Sequence, residues 1–260
     1  MKDFADFIKN IKIPEGRTGV FFLGQAGFVL KTDDGRLIAY DLYLSDCCER
    51  EFGFKRLIAK LLLPDEIEFD AVICSHGHYD HLDIDSIDGL AGAEKTELYT
   101  PRDGIEELEK LALSTGSRKT SEKARLIEKG GSTVLCGGRV RADFVYCDHG
   151  PDTPYAVGTV FYIKGKRFYF AGDTALHIDL LVNEKTKYCD FAALPINGAF
   201  GNLDAREAIE LAKELGAGIT VPCHFGNFAE HGGDPGLFKE LAAANNIKYA
   251  FMTQGELMIV

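Results

Sequence analysis

The sequence predicts an α/β fold, a four-layer αββα sandwich in which two β-sheets pack face to face with helices outside. Three observations carry this. Strand-like runs rich in β-branched and aromatic residues fall into two groups, with helical periodicities before, between and after them. At 260 residues and 46% hydrophobic, the chain can bury a sizeable core. It has no internal repeat, low-complexity tract or linker, so residues 1–260 read as one domain.

Taken in order, Phe4, Phe7, Ile8 and Ile11 recur at helical spacing within Asp3–Ile11, and Pro14-Glu15-Gly16 ends that helix. Residues 19–23, 28–31 and 37–40 are β-like, and Thr32-Asp33-Asp34-Gly35 makes a hairpin turn between the last two. Residues 52–63 are apolar over a helical length and stop at Pro64. The expectation there is a core helix, with an active-site lid over 43–63 as the alternative. Phe69 to Cys74 is an apolar run containing a short buried strand. Residues 82–90 read as a helix, 98–100 as a strand and 104–113 as a helix with a solvated charged face. Residues 115–123 are polar and read as a mobile stretch. From Ser132 the runs 133–136, 140–147, 157–163 and 167–170 are β, with Gly165-Lys166 at a hairpin tip. Residues 177–182 and 204–215 are helical; Asp204 with Glu207 forms a capping box, and Gly216 stops the second helix. Residues 219–221, 248–251 and 257–260 complete the sheets.

The composition excludes several classes of function. A net charge of −11 with no basic tract argues against nucleic acid as the main partner. No apolar run approaches the ~20 residues of a membrane span, and the acidic start, Met1 to Asp6, is unlike a signal peptide. Seven cysteines without a Cys-x-x-Cys pair indicate neither a disulfide framework nor a structural zinc knuckle. Adjacent Cys47-Cys48 rarely bond to each other. Reduced thiols in a cytoplasmic protein are the expectation.

The apolar run 69–74 opens directly into Ser75-His76-Gly77-His78-Tyr79-Asp80-His81. Three imidazoles and a carboxylate within six residues of loop are too costly to place for packing, and both groups are ligands for zinc, iron or manganese. His76 and His78 can aim at one ion, and Asp80 and His81, past the turn, at a second. This is read as a metal site.

The spacing His-x-His-x-Asp-His resembles the metal motif of the metallo-β-lactamase superfamily. The resemblance implies further ligands downstream, and this sequence supplies each in order: His149 in Cys147-Asp148-His149-Gly150, Asp173 in Gly172-Asp173-Thr174, and His224 in Pro222-Cys223-His224-Phe225. It further implies that His76, His78 and His149 hold one divalent ion, that Asp80, His81 and His224 hold another, and that Asp173 bridges them. The two ions are zinc or manganese, with iron also compatible. They share an activated hydroxide, and Asp80 is the catalytic residue that orients it and returns a proton to the leaving group. Asp41, directly after the third strand, corresponds to an acid that supports the ligands; without the resemblance it is a strand-end turn residue. A non-catalytic scaffold has no use for Asp80 and Asp173. The di-iron electron-transfer relatives carry a glutamate where this chain has His78.

Blocks at both ends are similar to the ascorbate-6-phosphate lactonase branch: Leu23 to Phe28, Asp41 to Asp46, Pro195 to Leu203, Pro222 to Phe228 and Gly233-Asp234-Pro235. That branch has Asp-Pro-Tyr where this chain has Asp41-Leu42-Tyr43, and it is longer. The resemblance implies a hydrolase of a small anionic substrate, a phosphorylated sugar-type lactone or ester, with a phosphodiester as alternative and a homo-oligomer compatible. Asn197 and Asn202 are the candidate substrate contacts, supported by free amides at the start of the helix near Asp204. Arg206 reads as a solvated helix face and His231 as an ordinary surface histidine.

Overall fold

The computed structural model describes residues 2–260. Helix α1 (Lys2–Asn10) is followed by strands β1 (Thr18–Gly24), β2 (Gly27–Thr32) and β3 (Leu37–Tyr40), helix α2 (Cys47–Phe52), β4 (Ala71–Ile73), α3 (Ile87–Leu90), β5 (Glu97–Thr100), α4 (Arg102–Thr115), α5 (Lys119–Lys123) and β6 (Ala124–Leu126). Next come β7 (Ser132–Leu135), β8 (Val140–Val145), β9 (Gly158–Ile163), β10 (Lys166–Phe170), α6 (Ile178–Leu181) and β11 (Phe191–Pro195). The chain closes with α7 (Ala205–Leu215), β12 (Thr220–Cys223), α8 (Pro235–Ala244) and β13 (Leu257–Ile259).

A seven-stranded sheet of order β13-β1-β2-β3-β4-β5-β6 faces a six-stranded sheet of order β12-β11-β10-β9-β8-β7. Alternate residues explain why both are needed. Val20, Phe22, Phe28 and Leu30 turn inward onto Phe161, Phe168, Phe170 and Phe191 of the second sheet. Phe21, Leu23 and Val29, one residue out of step, meet Ala5 and Ile8 of α1 and Leu108 of α4. The outer face of the second sheet, with Val160, Tyr169 and Ala192, is covered by Leu211 and Leu215 of α7 and by Phe238 of α8. Strands covered on both faces read as continuous apolar runs, which is how they look in the sequence. The four layers are those expected.

Strand direction places the site. β1 and β3 flank β2 antiparallel, and β4, β5 and β6 continue parallel to β3. In the other sheet β8 and β10 flank β9 antiparallel, and β11 and β12 run parallel to β10. The loops that leave β3, β4, β8, β10 and β12 at their C-terminal ends carry the candidate histidines and aspartates, at one edge of the sandwich, and the loop after β1 adds Gln25.

Several expectations fail locally. Residues 52–63 do not form a helix: α2 stops at Phe52, with Gly53 left-handed at φ 77°. Beyond it the chain runs as an irregular strap. Arg56 donates to the carbonyls of Tyr43 and Ser45 at 2.9 and 2.8 Å, and the Leu57 N–H donates to the Asn227 carbonyl at 2.8 Å. Phe54 and Leu62 pack onto the body while Leu57 and Leu63 are exposed, a pattern without helical periodicity. Residues 115–123 contain α5, tied down by Thr120 to Asp88 and by Lys123 to the Ala91 carbonyl. Residues 248–251 make only an isolated bridge, Thr220 to Tyr249. Of 82–90, only Ile87–Leu90 is helical. β6, β11 and α8 went unread, although Asp234-Pro235 is a helix start: the Asp234 carboxylate accepts from the Leu237 N–H at 2.8 Å.

Candidate metal centre

Backbone shape at the strand ends sets the side chains. Gln25, Asp41 and His224 follow β1, β3 and β12 directly and lie in the left-handed region, with φ 54°, 47° and 59°. Non-glycine residues there are strained, and such strain gathers at functional sites. The His224 N–H donates to the Gln25 carbonyl at 2.7 Å, holding two of these corners together. Gly77 is required by a close approach: a Cβ there would lie 3.0 Å from the Asp103 carbonyl carbon and oxygen at the start of α4. Asp103 also accepts the Gly77 N–H at 3.1 Å, which fixes the turn between His76 and His78.

The side chains so placed converge. The His76 Nε2 and His149 Nε2 lie 3.1 and 3.0 Å from the His78 Nδ1. The His224 Nε2 lies 3.2 Å from the His81 Nε2 and 3.3 Å from the Asp80 carboxylate. Asp173 Oδ2 sits between the groups, 3.0 Å from His224 Nε2, 3.4 Å from His81 Nε2 and 3.7 Å from His149 Nε2. Three clusters able to hold an ion result: His76 with His78 and His149, His76 with His81 and Asp173, and Asp80 with His81 and His224. All seven ligand candidates of the sequence are thus within one focus.

Hydrogen bonds behind the rings decide which nitrogens are free. Asp41, fully buried, accepts from the Ser75 N–H at 2.6 Å and the Ser75 hydroxyl at 2.7 Å. Its carboxylate also lies 2.9 Å from His81 Nδ1, so that nitrogen donates and His81 Nε2 keeps a lone pair. Since the Ser75 proton goes to Asp41, the Ser75 oxygen accepts from His76 Nδ1 at 2.9 Å, and His76 Nε2 is free as well. Asn202 donates to Asp173 Oδ2 at 2.7 Å, leaving Asp173 Oδ1 buried and unpartnered. Nitrogen ligands ~2.0–2.1 Å from a tetrahedral ion lie about 3.3 Å apart, so imidazole lone pairs converging at 3.0–3.2 Å fit a shared cation.

The buried carboxylates draw positive charge to this focus. Burial would raise Asp80 and Asp173, yet the neighbouring His81 and His224 hold both well below the usual carboxylate range. Burial pulls His81 down, but Asp173, Asp80 and Asp41 outweigh it and lift it well above the usual imidazole value. His224 rises to about 9, because Asp173 and Asp80 more than offset its burial. His76 and His149 are lowered, first by burial.

Sequence reading missed two members. Gln25 donates from Nε2 to Asp80 at 2.7 Å and lies 2.9 Å from the His231 Nδ1. His231 is no surface histidine: it is 5% exposed and stacks on His224 with ring centroids 5.1 Å apart. The polar Gln25 between Gly24 and Ala26-Gly27 at a strand end was the available signal for the first. The second is buried by nearby Phe228 together with Phe54 and Phe200 from distant segments, and only Phe228 is visible locally. The free amides expected at the start of α7 are also not free: Asp204 accepts from the Arg206 and Glu207 N–H groups at 2.7 and 2.8 Å. The capping box forms, and it consumes them. Arg206 is exposed, as expected, and Asn197 turns its Nδ2 onto the Ala199 carbonyl at 3.3 Å.

A cavity of about 590 Å³ opens over the clusters, lined among others by His78, Asp80, His149, Asp173 and His224. Cys48 and Phe52 of α2 and Phe54 just beyond it form one wall, so segment 43–63 borders the site partly as helix and partly as strap. All seven cysteines are free and buried, and no described helix is long and apolar enough to cross a membrane.

Comparison with known proteins agrees with this geometry. Residues 43–225 match the beta-lactamase superfamily domain. The chain is 30% identical to a UPF0173 metal-dependent hydrolase of Aeropyrum pernix, over 84% of this chain and 87% of that one. A homologue of the same name from Pelotomaculum thermopropionicum is 28% identical over 92% and 98%. Among solved structures, the metallo hydrolase Igni18 of Ignicoccus hospitalis superposes with a TM-score of 0.71 at 22% identity, covering 94% of this chain and 98% of that one, a likeness of fold. These relatives support the superfamily, a level coarser than the lactonase branch that the sequence blocks resemble. The chain belongs to the metallo-β-lactamase superfamily, as a metal-dependent hydrolase of the UPF0173 family.

Proposed function

We propose that residues 1–260 form one hydrolase domain that holds two divalent ions, zinc or manganese with iron compatible, and cleaves a small ester or lactone. His76, His78 and His149 would hold one ion and Asp80, His81 and His224 the other, with Asp173 placed between the two groups. The observation that carries this reading is the position of Asp173 Oδ2, within 3.0–3.7 Å of nitrogens from both groups. When bound, the ions supply Lewis acidity, lowering the pKa of water toward ~7 and polarising the scissile oxygen. Asp80 takes up the proton of the attacking water and delivers it to the leaving oxygen, and Gln25 keeps that carboxylate aimed. Asp41 fixes the His81 ring, and Asn202 fixes Asp173. Seven free, buried thiols support a reducing, cytoplasmic setting.

The resemblance read from the sequence favours a phosphorylated sugar lactone, with Asn197 and Asn202 as substrate contacts. The geometry lends this less support. Asn202 serves Asp173, Asn197 lies outside the cavity lining, and the α7 amides are capped. The reading is tested by metal analysis after chelation and titration, followed by a screen of lactones, esters and phosphodiesters. Saturation near two ions with turnover is expected. Saturation at one, with His81 and His224 replaceable without effect, overturns the dinuclear arrangement.

A further inference from the structure

We propose that the cavity takes an uncharged substrate with a flat, apolar or aromatic body, an aromatic lactone or ester, and discriminates against phosphorylated ones. The inference rests on the hydrolase reading above and names its substrate class.

Among the described residues, the lining carries Phe52, Phe54, Tyr79 and Phe200 and no lysine or arginine. Phe52 and Phe200 are 55% and 58% exposed, so folding alone leaves these rings largely unburied. Phe200 is also held at φ 55°, in the left-handed region, a conformation that bulky residues avoid. That strained turn sets its ring 5.8 Å from Phe54 and 5.3 Å from His231, while Phe52 lies 5.5 Å from Tyr79. The result is a partial cage of aromatic faces at the entrance, suited to an apolar body with a few convergent polar groups.

Charge points against phosphate. Asp80, Asp148, Asp152 and Asp173 place four carboxylates along the lining, and two divalent ions would only balance them. Asp41 adds a further buried carboxylate behind His81. A phosphate dianion would therefore meet no net positive charge, and no arginine fork or helix N-terminus to bind it.

One neutral polar group completes the cage. The Asp80 carboxylate can only accept, so the nitrogen of the Gln25 amide faces it, and that nitrogen's second proton goes to His231 Nδ1. The neutral His231 ring then carries its own proton on Nε2. Among Phe54, Phe200 and Phe228, that N–H is a donor for an ester or carbonyl oxygen. The reaction is simple hydrolysis: the oxygen of water bonds to the acyl carbon, the acyl carbon–oxygen bond breaks, and the leaving oxygen gains a proton.

The test uses the metal-loaded full chain with two readouts. In the first, turnover of dihydrocoumarin, a neutral aromatic lactone, is compared with that of a phosphorylated sugar lactone. In the second, calorimetry measures binding of phenylacetamide against a sugar phosphate. We expect kcat/KM to favour dihydrocoumarin by on the order of a hundredfold, and phenylacetamide to bind more tightly. Phe200→Ala and the milder Phe54→Leu should each raise KM and weaken phenylacetamide by about three- to tenfold, with kcat little changed. Preference for the phosphorylated compound in either readout, or no change in the variants, overturns the inference and leaves the hydrolase reading standing. No turnover of any substrate by fully metallated protein defeats the hydrolase reading instead, and calorimetry still decides for or against the aromatic cage.

Discussion

Two hollows open at opposite ends of the same strands, and they treat their polar groups in opposite ways. At the N-terminal ends of β3, β5 and β6 a cavity of about 680 Å³ is lined by Arg36, Asp70, Glu97, Lys123, Arg125 and Cys136. Its charges are matched: Arg36 pairs with Asp70 at 2.9 Å, and Arg125 with Glu97 at 2.6 Å. At the C-terminal ends the cavity is slightly smaller, about 590 Å³, yet buried imidazoles and carboxylates point their lone pairs at one another. Size alone would favour the wrong hollow. Backbone strain alone would not separate them either, since Cys136 at the first end sits at φ 55°. What separates them is that one set of charges is paired and the other converges in clusters able to hold a cation.

The largest effect that tests this contrast is at Asp80. Asp80→Asn keeps the shape of the side chain but removes the base. On protein shown to be fully metallated, kcat should fall by roughly 10²–10⁴ with KM little changed. A rate near the parent's would place proton transfer elsewhere. Asp41→Asn comes next. It lies behind the ring of His81, so metal affinity by chelator competition should drop roughly 10–100-fold. An unchanged affinity would make Asp41 a strand-end turn residue and nothing more.

Asp143 offers a buried carboxylate of the completed kind. It receives Arg141 at 2.6 and 3.0 Å and Lys185 at 3.0 Å. Burial would raise it, but those cations hold it below the usual range. A depressed folded-state pKa means that its stabilisation is present above ~3.9 and is lost as pH falls through the lower folded value. Asp143→Asn should cost about 1–3 kcal/mol at pH 7 and flatten the acid limb of the melting curve, with metal content unaffected. A parallel acid limb in the variant would refute the pairing. The smallest effect belongs to the matched hollow: Arg125→Ala should leave turnover unchanged and stability within about 1 kcal/mol, since the Glu97 pair is partly exposed. A large loss of activity there would erase the distinction between the two ends.

The sequence exposed what is local. His76 to His81 lie within one loop, so side-chain type and spacing were enough to bring them forward as candidates, whereas His149, Asp173 and His224, each after a strand-like run, came forward through the resemblance. α7 was equally legible, since its start and stop are written in Asp204, Glu207 and Gly216. Contacts between distant segments were not legible. Gln25 is not a metal-ligand type, and its meaning comes from Asp80 and His231. His231 is buried by Phe54 and Phe200 from two distant places in the chain as well as by nearby Phe228. The strap after α2 looked helical because its apolar run has a helix's length, although only part of it, Phe54 and Leu62, packs on the body. The anion-site reading of α7 failed because a capping carboxylate and a bound anion compete for the same amides, and the carboxylate is covalently present.

The bond between the His224 N–H and the Gln25 carbonyl joins positions 199 residues apart. Closing so long a loop is entropically costly, and it cannot start until the second partner has been made. During synthesis at roughly 5–20 residues per second, His149 leaves the ribosome several seconds before His224 does. The nascent chain therefore contains His76, His78 and His149 while the Asp80, His81 and His224 group still lacks its last member.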